Sequence, residues 1–418
     1  MNMRFARAAL FACLMGSASA LVLAASCEPA VAASKPTGPS VSAPVAKLLQ
    51  PAQKLLEAKD YKGALDLIKQ AQTLPDQTDF DKYTVNNFLA NASIALADYA
   101  TADTAYEEMA DSPALPDADK PSTLHNATLL ANQAKHYDKA IKYGTAYIAL
   151  GGAPDPTVIA TLAQAYFFIN DFANAEAMAQ KSIDLTPAGQ PPNRGALDIK
   201  LTAQIKAKKE ADALITLETM VSYYDDADDW GQIIDNSLGV KGIKDIEAVH
   251  IYRLRLAAHA SGRPDDFTFA ANLCLAPSVS LPGEAVSFLQ AGHVGGADLA
   301  KAQSAAARDR AVLPQFEALA KKGGADIKMK LAETYYGYGR YADAEATAHA
   351  ALAQGGPKFD PNEANMLIGE SLIMEGKTAD AVAAFNTVSK PSPGYAKAQH
   401  LWLLFANRKY ATAAAATP

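Results

Sequence analysis

From residue 44 to about residue 410, segments with apolar residues at helical spacing alternate with short turns of Pro, Gly and Asp. Alanine is abundant and runs of β-branched residues are rare, so the pattern predicts helices and almost no strand. An alanine recurs three residues after an aromatic, at Tyr61/Ala64, Tyr99/Ala102, Tyr137/Ala140, Phe172/Ala175 and Tyr341/Ala344. The first four of these alanines are 38, 38 and 35 residues apart. A period in that range belongs to stacked helical hairpins, none of which can bury its apolar face alone.

A second small residue precedes each alanine at a fixed offset: Ala52, Ala90, Thr128, Ala163, Ala332 and, before Ala381, Gly369. Two small positions at one offset are what close approach of paired helices requires. Residues 156–187 carry the pattern most fully: Asp155 caps, Pro156 opens the first helix, Phe172 and Ala175 open the second, and Pro187 ends the unit. Asp360-Pro361-Asn362-Glu363 is a variant capping box for the last unit. Ala213, Ala248 and Ala285 keep the spacing without the aromatic, with Glu210, Asp245 and Pro282 in its place. Ala285 and Ala344 lie 59 residues apart, which predicts a helix inserted over roughly 297–322. Leu401-Trp402-Leu403-Leu404-Phe405 would cap the array.

These hairpins resemble tetratricopeptide repeats over most of residues 44–390. The expected fold is all-α, a right-handed superhelical solenoid of about nine hairpins with an inserted central helix. Tyr223-Tyr224-Asp225-Asp226-Ala227-Asp228-Asp229-Trp230, Ile251-Tyr252-Arg253-Leu254-Arg255-Leu256-Ala257 and Gly283-Glu284-Ala285-Val286 resemble, more particularly, a group of exported bacterial tetratricopeptide proteins without an assigned activity. That resemblance implies export and extra central helices, and carries over no catalytic residue. Pro51, inside the first helix, departs from the repeat and is expected to shorten or kink it.

The expected organisation is a signal over 1–32, a flexible leader over 33–43 and an N-terminal array over 44–226. A divergent region over 227–322, a repeat pair over 323–390, a closing helix over 391–410 and a frayed tail over 411–418 follow. The signal reading rests on Arg4 and Arg7, the uncharged stretch Ala8 to Ala25, and a small-x-small site at Ala30-Val31-Ala32. It predicts a periplasmic protein. Leu23-Ala24-Ala25-Ser26-Cys27 resembles a lipobox and keeps a second reading open, an outer-membrane lipoprotein of an envelope assembly anchored through Cys27.

Removing residues 1–32 takes two basic and one acidic residue from totals of 38 and 45, leaving a net charge of −8. An acidic, mixed surface argues against nucleic acid, and no later segment is apolar enough to span a membrane. Cys274 would remain alone, in an apolar run, and reads as a core residue.

No chemistry is expected. Asp225, Asp226, Asp228 and Asp229 lack the spacing of a calcium loop and read as helix capping. The seven histidines form no close ligand pair, and no nucleophile elbow or phosphate-binding loop occurs. The chain reads as a non-enzymatic scaffold, without cofactor or metal, that docks a protein or peptide in a concave groove. Counting positions from the alignment assigns to that groove Asn87 and Asn91, then His125 and Asn132, then Gln164 and Phe167. From the last two repeats it assigns Glu333 and Tyr336, then Glu363, Met366 and Glu370, an acidic stretch suited to a basic partner. Asparagine amides offer donor and acceptor together, as an extended peptide backbone requires.

Overall fold

The structure is a computed structural model describing residues 39–153, 155–239, 241–357 and 359–409. Among these are twenty helices and no strand, and none of the helices is long and apolar enough to cross a membrane. The signal, Cys27 and the 411–418 tail lie outside the described residues. The described chain divides into two compact units between Ala213 and Leu214.

In unit 1, four hairpins follow one another: α1 (Ala43–Glu57) with α2 (Tyr61–Gln72), and α3 (Asp79–Ala95) with α4 (Tyr99–Ala110). Next come α5 (Lys120–Gln133) with α6 (Tyr137–Ala149), and α7 (Pro156–Phe168) with α8 (Phe172–Asp184). Each packs on the next, and α8 packs on α9 (Arg194–Lys206). The helix α10 (Glu210–Tyr223) carries the division between the units.

The paired small residues are the contact points. Ala52, Ala90, Thr128 and Ala163 on the first helices and Ala64, Ala102, Ala140 and Ala175 on the second are all buried to within 1% of complete. Leu49, Ile68, Tyr83, Leu89 and Leu130 fill the space around them. Burial of each large apolar side chain stabilises the fold by about 1.5–3 kcal/mol.

The turns repeat as regularly as the cores. Lys59, Ala97, Lys135 and Asn170 each adopt a left-handed conformation, with φ of 62°, 58°, 65° and 63°. The following N–H bonds back five residues, as in Asp60 N–H to Leu55 O at 2.8 Å and Asp171 N–H to Tyr166 O at 2.9 Å. This closure satisfies carbonyls at the helix end, and Asp60, Asp98 and Asp171 then cap the second helix.

Pro51 neither shortens α1 nor prevents its hairpin; the helix runs through it to Glu57. The ring is on the exposed side, so the carbonyl it leaves unbonded has access to water, while Ala52 beside it keeps its packing.

Unit 2 contains α11 (Ala227–Leu238), α12 (Asp245–Ala257), α13 (Pro264–Leu275) and α14 (Pro282–Ala291). The inserted helix is α15 (Gly296–Lys322), followed by α16 (Ala325–Gly337), α17 (Tyr341–Gln354), α18 (Pro361–Met374), α19 (Thr378–Asn386) and α20 (Pro393–Ala406). Hairpins α13/α14, α16/α17 and α18/α19 keep the repeat packing, with Ala285, Ala344 and Ala381 fully buried.

The hairpin α11/α12 does not. Ala248 has the right spacing but is only half-buried, and α12 packs more extensively against α20 than against α11. It also touches α18, so the chain of unit 2 returns on itself around α12. Trp230, Trp402, Tyr395 and Phe405 seal this junction. Asp226 caps α11 by accepting from Asp228 N–H at 2.9 Å and Asp229 N–H at 3.2 Å. Cys274 is a buried free thiol in the α13/α14 core.

Candidate functional site

Three consecutive first helices of unit 1 carry polar residues that the core does not require. On α3, Asn87 is half-buried and Asn91 exposed; Asn91 Nδ2 donates to both the backbone and the side-chain oxygen of Asn87 at 2.9 Å. Neighbouring Asn86 is buried and donates to Glu108 at 2.7 Å, a structural bond across the hairpin.

On α5, His125 is half-buried, 3.5 Å from Asp155 and edge-on to Tyr147. Asn132 donates to Gln164 of α7 at 2.7 Å, linking successive repeats, and its own Oδ1 is buried without a partner. The amides on these helices are thus held in fixed orientation by bonds to one another. Phe167 does not belong to this set. It is 8% exposed and packs edge-on to Phe168 and Phe172 within the α7/α8 core.

The acidic positions of the last repeats need a larger correction. Glu333, Tyr336, Met366 and Glu370 are 1%, 7%, 0% and 0% exposed, out of reach of a partner. The basic counterpart expected from a partner is supplied by the chain's own α12. Arg253 donates through Nε and Nη2 to Glu284 at 2.8 and 2.5 Å, through Nη1 to Glu370 at 2.9 Å, and through Nη2 to Glu333. Its guanidinium lies 4.3 Å over the Tyr336 ring. His250 Nδ1 meets Glu370 at 2.7 Å. Its Nε2 stands 3.7 Å from Glu333 Oε1, too far for a hydrogen bond.

Burial works against the charged form of Arg253, but Glu284, Glu333 and Glu370 raise its pKa well above the ordinary value. Burial likewise opposes protonation of His250; Glu370 overcomes it, and the pKa is raised. Burial pushes Glu284 up, whereas at Glu333 Arg253 and His250 outweigh burial and bring the carboxyl down. Glu363, half-buried at the edge, is pushed up to about 7 by burial and by Glu333.

Among the described residues no group of three or more His, Cys, Asp or Glu is arranged to hold a metal ion. Here the guanidinium occupies the space between the carboxylates. A fully buried ion cluster joins α12, α14, α16 and α18, and loss of any one member would leave uncompensated charge in the core. Position counting missed His250, Arg253 and Glu284. Their signal was two cations three residues apart in the apolar run Val249 to Leu254, where buried charges must find partners.

The hairpins therefore form an all-helical repeat array consistent with a tetratricopeptide-repeat protein. A tetratricopeptide repeat protein from Parabacteroides merdae ATCC 43184 is similar in structure at 10% identity and a TM-score of 0.28, over 77% of this chain and 99% of that one. The Cut9–Hcn1 hetero-tetramer of APC/C matches at 14% identity and 0.25, over 89% and 73%. The TPR domain of P58(IPK) matches at 12% identity and 0.22, over 89% and 99%. No protein-family model and no curated protein matches the chain.

Proposed function

We propose that this protein is a non-enzymatic scaffold, exported to the periplasm, that docks an extended segment of a protein partner along α3, α5 and α7. The observation carrying this reading is the row of amide side chains at Asn87, Asn91, Asn132 and Gln164, flanked by His125, half-buried or exposed on successive repeats and held by bonds to one another. Helix interiors disfavour asparagine, by roughly half a kcal/mol against alanine at each position, a cost that partner contacts would offset together with the bonds the amides make to one another.

Two lost amide contacts of about 1 kcal/mol each would weaken partner binding by roughly tenfold to thirtyfold. Asn87→Ala with Asn91→Ala tests this. Capture from native envelope extract is expected to fall by that factor while thermal stability stays level or rises slightly. Unchanged capture would sink the assignment. The lipobox-like Leu23 to Cys27 supports a second reading, an envelope-assembly lipoprotein. The mass of the exported protein separates the two: cleavage after Ala32 or a diacylated Cys27.

A further inference from the structure

Unit 2 contains a cavity of about 510 Å³, a volume that suits a small organic molecule. One wall is the inserted helix α15, contributing Gln303, Ala306, Ala307 and Arg310; the others come from α12, α14, the α16/α17 turn and the end of α18. The repeat pattern has no need of α15, and the cavity is what its insertion creates.

The floor is set by glycines. A Cβ on Gly283 would lie 2.6 Å from the Gly337 carbonyl and 2.7 Å from the Tyr338 ring, so α14 meets the end of α16 backbone to backbone.

The charged lining consists of two arginines and one glutamate. Both oxygens of Glu284 are consumed by Arg253. Arg310 lies 4.6 Å over the Tyr338 ring and forms no ion pair among the described residues. The neighbouring Asp309 is engaged by the Tyr338 hydroxyl at 2.7 Å. The open polar groups are the Arg310 guanidinium, a pure donor, and the amides of Gln290 and Gln303, which can donate or accept. A cation is disfavoured, because the faces of Tyr336 and Tyr338 already carry guanidinium groups. Leu256, Val286, Ala307 and Met374 give the remaining wall an apolar character, with Met374 partly exposed and adaptable.

We propose that this cavity binds a small organic carboxylate with an apolar body, its carboxylate held by Arg310 in a forked, charge-assisted pair. This site is separate from the docking face proposed on unit 1 and stands or falls independently of it.

The test is titration calorimetry and thermal-shift measurement on the full chain with hexanoate, phenylacetate and 4-hydroxyphenylacetate, each paired with its primary amide. Saturable binding of at least one acid is expected, at least about tenfold tighter than its amide. Arg310→Ala should weaken it by about tenfold or more, and Arg310→Lys should keep part of it. Ala307→Trp, filling the cavity from an exposed helix position, should abolish it. Absence of saturable binding by all three acids at millimolar concentration, or binding indifferent to both Arg310→Ala and Ala307→Trp, would overturn the proposal.

Discussion

Replacing Arg253 with Met leaves three buried carboxylates facing a single imidazole. Glu284, Glu333 and Glu370 are 3%, 1% and 0% exposed, so water cannot take over the role of the guanidinium. Methionine approximates the volume, which leaves loss of charge compensation as the main effect. Breaking a buried ion pair by removing one partner costs about 3–5 kcal/mol. With a urea slope of about 2–3 kcal/mol per molar, that moves the unfolding midpoint by roughly 1–2.5 M. Protonation can relieve the abandoned carboxylates, so the loss should shrink as pH falls toward about 5 and grow above neutrality.

Tryptophan fluorescence isolates the event. Both tryptophans of the chain, Trp230 and Trp402, are fully buried in unit 2, and Trp402 Nε1 donates to the His250 carbonyl at 2.8 Å. A midpoint shift worth under about 1 kcal/mol, or a loss that does not grow with pH, would refute the argument that this cluster is a charge-compensated core.

Glu363 makes a second pH-dependent contribution. Its folded value of about 7 lies above the ordinary 4.5, so below the lower value the carboxyl is neutral in both states. Between the two only the unfolded chain ionises, and stability falls as pH rises through that window. Glu363→Gln should flatten this dependence and raise stability at about pH 8 by on the order of 2 kcal/mol; equal urea midpoints for variant and wild type there would contradict it. Gly369→Ala would place a Cβ 2.4 Å from the ring of Phe385, which is fully buried and stacked on Trp402 at 5.9 Å. The expected loss is about 1–3 kcal/mol by tryptophan-monitored unfolding, despite alanine's better helix propensity. A stability unchanged or higher would mean that the α18/α19 packing is looser than described.

Much of the helical order was legible because repeat geometry is written in local, periodic residues. Ala64, Ala102, Ala140 and Ala175 mark contact points that recur with the hairpin, and the 59-residue interval before Ala344 located α15. Ala248 had the same spacing and misled, since spacing cannot report which face of a helix turns inward. In unit 2, α12 turns His250 and Arg253 toward α16 and α18 because α20 lies against it, a contact 152 residues away at Trp402.

The candidate site divides along the same line. Asn87, Asn91, His125, Asn132 and Gln164 sit in regular hairpins and are half-buried or exposed. Glu333, Tyr336, Met366 and Glu370 were placed by the same counting, but a long-range closure with no periodic signature buries them. Phe167 failed for a local reason: beside Phe172 an aromatic gains more by packing into its own hairpin than by facing solvent.

The most direct test of the docking assignment compares capture by three forms of the chain from native envelope extract: wild type, Asn87→Ala/Asn91→Ala, and Arg310→Ala. The account predicts one discrete partner retained by wild type and by Arg310→Ala, and lost from the double asparagine variant while that variant remains folded. A partner held undiminished by the asparagine variant, or lost equally from Arg310→Ala, would contradict a docking face on α3, α5 and α7.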